Sequence, residues 1–498
     1  MSTPMKITLI GASGFYAFDI YRRVFSDEKM RPVELRIWNR NPETGESIAD
    51  MLDYVRSQSG IPVDFNLYEE RKEALRGTDY VLFTSCVDYP RTRMQDMEVC
   101  EKFGVNALEG ETMTPGGLMN TFRHVPILLG VAKELEEVSP KAVIIPVVNP
   151  LARLCDALSR HSSIEFIGHC DGIVHTRVDL VNAMGRNPND VEVIAGGVNH
   201  LTFILKMWDK NTGESLLPYI DDALPNIRQN SPFGFRFSNI VYKLLGYYPS
   251  PGDNHIADQL PFVSRAMQQS IPIPSLDEIF PPREDIRVGK VGNVHAALLA
   301  GERIKNPEVL KQFLNPARYE ESGDWMEALH GRIQAHHVEA INIPNDGHIT
   351  NLPQGSIVEV PGAIDPSGAR GEAIGALPTA IASLCQTMLV AHESAVEACV
   401  YRNREAALRS LAFEPTVNDL TIVEDLLDEL LLVNSRYLDP EFVADMMKKD
   451  GKKRVAVVTP AADNPMTPDA PKPEGSPGLD IVVGSYWGGE SGNLADAV

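Results

Sequence analysis

Cysteine is scarce. Six occur in 498 residues, at positions 86, 100, 155, 170, 385 and 399, and no two form a C-x-x-C pair. That scatter excludes a dense disulfide framework and fits thiols kept reduced. Basic charge is also short: 46 Lys and Arg stand against 68 Asp and Glu, a formal net charge of −22. Such a balance argues against a nucleic-acid partner, whose phosphates need neutralising, and against an anionic membrane surface. No stretch approaches the roughly 20 uninterrupted apolar residues of a membrane helix. The opening residues, MSTPMKITLIGASGF, lack a charged segment followed by a long apolar core and a small-residue cleavage site, so a cytoplasmic protein is expected. No repeat with a period of roughly 20–50 residues appears, which sets a solenoid aside.

What is present is ordinary for a globular chain: 43% apolar and 23% charged residues. The length is too great for one small core, so two packed domains are expected. KITLI, ending at Gly11, reads as a strand; a glycine turn and the helical FYAFDIYRRVF follow. VELRIWN, DYVLFTS and KAVIIPVVNP read as further strands separated by helical stretches. Alternating strands and helices predict an α/β fold with a Rossmann-like, doubly wound parallel sheet over residues 1–195. Residues 196–458 mix short strands with long helices and are expected to form an α+β domain for substrate, metal and subunit contacts. From 459 to 498 proline and glycine dominate, predicting a flexible tail.

Several short segments carry candidate chemistry. In IGASGFY, Gly11, Gly14 and Phe15 form a turn that lets a phosphate approach the backbone at a helix N-terminus. A ribose-binding carboxylate belongs at the end of the second strand; Asn39 and Arg40 stand there instead. Asn39 can bond a ribose hydroxyl and Arg40 can meet a 2′-phosphate, which leaves both NAD and NADP open. A Pro-Gly-Gly loop, residues 115–117, leads into a helix with Arg123. Asn149 closes a buried strand, where open parallel sheets bind ligands. GHCDGI places Cys170 between His169 and Asp171, and GGVNH ends at His200. A thiolate and an imidazole suit a divalent metal. Two ligands are too few for a closed structural site, so substrate or water would complete the shell. His169 and His175 are rival ligands. Asp171 is placed to act as a general acid if burial raises its pKa. GYYPSPGDNHIADQLPF crowds Tyr247, Tyr248, Asp253, His255 and Asp258 into one loop. Taken singly, each segment also has a plain structural reading: a capped turn, a core thiol, an anchored loop.

Taken together, the motifs resemble family 4 glycoside hydrolases, the NAD- and metal-dependent glycosidases. The likeness runs from about residue 5 to 440, through RTRMQDMEVCEKFG, GETMTPGGLMNTFR, VVNPLARLCDAL, GHCDG, GGVNHLTFI, GYYPSPGDNH and NIPNDGHITNLPQGSIVEVPGAID. It implies a C-terminal domain resembling that of lactate and malate dehydrogenases, and a homodimer or homotetramer. It implies that Cys170 and His200 hold a divalent metal, usually Mn²⁺, although a thiolate site alone would suggest zinc. It implies that Arg93 and Asn149 contact a small carbohydrate, that Asp171 is the acid, and that the base is Asp253 or, second, Tyr248. Asp at 171 matches the phospho-α-glucosidase branch, yet GI follows where that branch has MP, so phospho-sugar specificity is not implied. The mechanism implied is redox elimination: NAD⁺ takes hydride from sugar C3, the C2 proton becomes acidic, a base removes it, the aglycone leaves, water adds at C1 and the hydride returns. The substrate expected is an α-linked hexoside or uronide.

Two rival readings use the same residues. A dehydrogenase of a 2-hydroxy acid or polyol would consume NAD and need no metal. A nucleotide sensor would bind NAD without turnover.

Overall fold

The apolar run after the N-terminus is strand β1, Met5–Ile10. It pairs in parallel with β2, Val33–Trp38, on one side and with β4, Tyr80–Phe83, on the other. With β3 (Asp64–Leu67), β5 (Val143–Pro146) and β6 (Glu165–Phe166) these strands form one parallel sheet, in the order β3-β2-β1-β4-β5-β6. Every residue of β4 and β5 is buried, as strands covered on both faces require. The helix Phe15–Ser26 packs with Pro42–Ser59, and Pro115–Val138 packs with Arg91–Lys102 and Leu151–His161. Strand order reverses between β1 and β4, and such a reversal opens a ligand crevice at the strands' C-terminal ends. The computed structural model describes residues 4–13, 15–88, 91–108, 110–227, 236–263, 301–315, 322–449 and 452–453. Gly14 and the expected tail, 459–498, lie outside the described residues.

The second sheet is antiparallel. Its strands are β7 (Val191–Val198), β8 (Leu201–Asp209), β9 (Tyr248–Ser250), β10 (His336–Pro344), β11 (Ile357–Asp365) and β12 (Gly368–Gly371). The order is β10-β11-β7-β8-β9, with β12 on β11. The division expected at residue 195 falls inside β7, because the strand is already paired with β8 from Val191. The long helical region after residue 379 is two helices, Thr379–Tyr401 and Arg404–Phe413. Arg402 separates them at φ +53°, and Asn403 caps the second by accepting from the Ala406 N–H at 3.1 Å. The first packs on Pro115–Val138, on Leu151–His161 and on β7. Among the described residues, no helix is long and apolar enough to cross a membrane.

Two backbone hydrogen bonds join the sheets. Gly168 N–H donates to Asn342 O at 3.1 Å, and Asn342 N–H donates to Gly168 O at 2.9 Å. Only glycine fits there: a Cβ on residue 168 would lie 2.5 Å from Cys155 Sγ and 2.8 Å from Asn342 Cβ. This bridge fixes the chain immediately before Cys170.

Candidate active site

The glycine turn sits at the strand-order reversal. Gly11 has φ +87°, and a Cβ there would lie 2.6 Å from the backbone of Ser85, just beyond β4. Thr84 Oγ donates to Ile10 O at 3.2 Å, and Tyr21 OH donates to Ala12 O at 2.8 Å, so both flanks of the turn are tied down. Phe15 opens the helix that follows. Asn39 directly follows β2, and its side-chain oxygen accepts from Asn41 N–H at 3.0 Å. Arg40 is exposed beside it.

Asp171 lies at the N-terminus of the helix Gly172–Ala183 and is buried. Tyr16 OH donates to its Oδ2 at 3.0 Å, and His169 Nε2 stands 2.8 Å from its Oδ1. His169 in turn contacts Ser322 Oγ through Nδ1 at 2.8 Å and packs on Trp325, ring centroids 4.2 Å apart. Burial lowers the His175 pKa, and the Asp171 charge opposes that shift. Of the two rival metal ligands, His169 thus contacts the acid candidate directly, and His175 follows it by one helical turn.

Cys170 is half-buried. Burial, then the Glu359 carboxylate, push its thiol pKa up, while hydrogen bonds from Gly172 N–H and the Asn199 side chain favour the thiolate. Asn199 and His200 form the two-residue turn between β7 and β8, with His200 at φ +65°. A non-glycine residue is rarely held in that region, and such strain collects at functional sites. His200 Nδ1 meets Thr112 Oγ at 3.5 Å, and its ring meets His255 edge-on at 4.4 Å. Burial, then His255, hold His200 neutral, with a lone pair for a cation. Glu359 anchors the turn: it accepts from Asn199 Nδ2 at 2.9 Å, Asn342 Nδ2 at 2.9 Å and Thr202 Oγ at 2.6 Å. Asn199 Oδ1 is buried and has no hydrogen-bond partner among the described residues. An orphaned amide oxygen on a residue bonded to the Cys170 sulfur and adjoining a neutral imidazole suits a divalent cation.

Leu108 and residues 110–114 adjoin the site, where Thr112 meets His200. Asp258 accepts from Leu108 N–H at 2.8 Å and Gly110 N–H at 3.1 Å, and Arg93 donates to Leu108 O at 2.9 Å. Arg93 is buried beneath the loop. Its charge, second to burial, drives His255 down to a pKa of about 3. Asn149 Nδ2 donates to Glu111 Oε2 at 2.9 Å. Arg123 is a structural anchor: it is fully buried and bonded to Asp96 at 2.8 Å, Asn120 at 2.5 Å and Asn434 at 2.5 Å.

The candidates for the base are both engaged. Asp253, the first choice from sequence, accepts from Phe237 N–H at 2.8 Å and from Ser238 N–H and Oγ at 2.7 and 2.8 Å. Its carboxylate thus caps the helix Arg236–Leu245. Tyr248 OH donates to Asn239 Oδ1 at 2.9 Å, and burial, then Asp253 and Asp179, hold it protonated. Sequence reasoning missed Tyr16, Glu111, Thr112, Asn199 and Glu359. All five lie within or adjoin motifs read for other residues.

The sequence matches the model of the family 4 glycosyl hydrolases over residues 6–186, and that of the family's C-terminal domain over residues 195–417. It is 27% identical to an alpha-galactosidase of Bacillus subtilis (strain 168) over 447 residues, 88% of this chain and 99% of that protein. The fold matches a 6-phospho-alpha-glucosidase from gut microorganisms in complex with NAD and Mn²⁺, at TM-score 0.72 and 17% identity, covering 87% of this chain and 98% of that one. It also matches the 6-phospho-beta glucosidase of Thermotoga maritima with manganese, NAD⁺ and glucose-6-phosphate, at TM-score 0.68 and 19% identity, covering 87% and 100%.

Proposed function

The chain belongs to family 4 of the glycosyl hydrolases, and from that premise we propose that it cleaves an α-linked hexoside or uronide by redox elimination and addition. The observation that carries this reading is the convergence of Cys170, Asn199 and His200 beside a buried acid, Asp171. Bound at this site, NAD⁺ supplies a reversible hydride acceptor and Mn²⁺ a Lewis acid, which together acidify the sugar C2 proton. Gly11, Gly14, Phe15, Asn39 and Arg40 are the residues we assign to the nucleotide, and Arg40 keeps NADP open as the alternative.

Among the described residues, no group of three or more His, Cys, Asp or Glu is arranged to hold a metal ion. Cys170 and His200 would hold a divalent cation there, with substrate or water completing its shell. Asp171 gives a proton to the departing glycosidic oxygen, with Tyr16 and His169 fixing its carboxyl group. Tyr248 is the base we carry forward, because the Asp253 oxygens are committed to the helix they cap; a nearby cation would lower the phenol pKa. Asn149, oriented by Glu111, and Arg93 orient the sugar. We assign a homodimer or homotetramer, located in the cytoplasm.

Hydrolysis of p-nitrophenyl α-galactoside, α-glucoside, α-glucuronide and 6-phosphoglucoside tests the reading, with NAD⁺ and Mn²⁺ omitted in turn. Release that requires both, without net NADH, is expected. NADH accumulating on a free sugar or hydroxy acid, with no glycoside cleaved, would establish the dehydrogenase reading instead.

A further inference from the structure

His392 lies within the helix Thr379–Tyr401 and is only 2% exposed. Arg153 Nε donates to its Nδ1 at 3.0 Å. A guanidinium N–H can only donate, so Nδ1 carries a lone pair and the neutral ring has its hydrogen on Nε2. Nε2 has no hydrogen-bond partner among the described residues. A buried N–H without an acceptor is unfavourable, and such an atom in a native fold needs an explanation.

Its surroundings suggest one. Cys385, seven residues earlier on the same helix face, has Sγ 3.9 Å from Leu201 O, next to His200. Arg153 also reaches Met113 Sδ at 3.6 Å, and the preceding residue, Thr112, meets His200. Glu414 pairs with Arg153 at 2.6 Å and accepts from Thr114 N–H at 2.7 Å, so the whole wall is fixed. Burial, then the Arg153 guanidinium, hold the His392 ring neutral.

We propose that His392 is a substrate-binding residue whose Nε2–H donates to a sugar oxygen beside the Cys170–His200 pair. It is not a third metal ligand, because the nitrogen that a cation would need carries the hydrogen. The inference rests on the glycosidase reading. Glutamine at this position retains both functions, an acceptor toward Arg153 and a donor toward the sugar; phenylalanine removes both.

The test is calorimetric titration of the full-length protein, loaded with Mn²⁺ and NAD⁺, with galactose, glucose 6-phosphate and galacturonate. Wild type is expected to bind at least one of them. His392→Phe should weaken that binding about tenfold, His392→Gln should stay within about threefold, and Mn²⁺ affinity without sugar should be unchanged in both. Equal sugar binding by wild type and His392→Phe would overturn the assignment, as would a parallel loss of Mn²⁺ affinity. Wild type binding none of the three would count against galactosides, galacturonides and 6-phosphoglucosides as substrates, and would overturn this inference without touching the family assignment. The wild-type protein offers a check independent of the Phe variant's folding. In 15N-histidine-labelled protein, the Nε2–H resonance absent from His392→Gln should shift when sugar binds; an unmoved signal would overturn the proposal.

Discussion

His169 Nε2 stands 2.8 Å from Asp171 Oδ1. With Tyr16 OH on Oδ2, the carboxyl group is held at both oxygens before any substrate arrives, which is the preorganisation that proton transfer to a leaving group needs. Asp171→Asn should keep this geometry and lose the proton. We expect kcat on an alkyl glycoside to fall roughly 10²–10⁴-fold, and much less on a p-nitrophenyl glycoside, whose leaving group needs little help. Equal losses on both substrates would contradict the assignment.

Cys170→Ser and His200→Ala should release the metal. Even residues that only orient metal ligands change affinity about 10–100-fold, so loss of a ligand should exceed that. Manganese retained after gel filtration, measured by EPR, is the readout. Full metal content in Cys170→Ser would remove the thiolate from the site.

Gly11→Ala places a side chain at φ +87° and 2.6 Å from the Ser85 backbone. Strain of this kind is worth about 1–3 kcal/mol before the clash is added. Chemical denaturation should show a destabilised protein, and fluorescence titration should show weakened NAD⁺ binding. Wild-type behaviour in both would mean that the turn is looser than its contacts suggest.

Glu327 is buried against Arg23, 3.5 Å away, and burial raises its pKa to about 7 despite that neighbour. The folded protein therefore keeps this proton up to about pH 7, whereas the unfolded chain releases it near the ordinary value of about 4.5. Stability from this group falls as pH rises through that window and is lowest above it. Glu327→Gln should flatten the dependence of Tm on pH between about 4.5 and 7, while Asp19, raised to about 6 by burial, keeps part of the slope. Arg23 retains Asp324 at 3.0 Å. Identical slopes in wild type and variant would show that Glu327 titrates as an exposed acid.

Much of the fold was legible because its signals are local. KITLI and VIIP are short apolar runs bounded by glycine or proline, and they became β1 and β5. Cys170 and His200 stood out as candidates because each sits in a motif that contains glycine. Tyr16, Glu359 and His392 did not, because their importance arises only where distant segments meet: Tyr16 reaches Asp171 across 155 positions, and Arg153 reaches His392 across 239. The cap that Asp253 forms was hidden for a related reason. A carboxylate beside a Pro-Gly turn looks the same in sequence whether it faces a substrate or caps a helix, and the Phe237 and Ser238 N–H groups that it accepts from lie 16 and 15 positions away.

The most direct test is hydrolysis in D₂O of whichever glycoside the enzyme cleaves, with NAD⁺ and Mn²⁺ present, followed by NMR of the released sugar. Redox elimination removes the C2 proton and restores it from solvent, so the account predicts deuterium at C2. Cleavage that proceeds without NAD⁺ and leaves C2 fully protonated would contradict it.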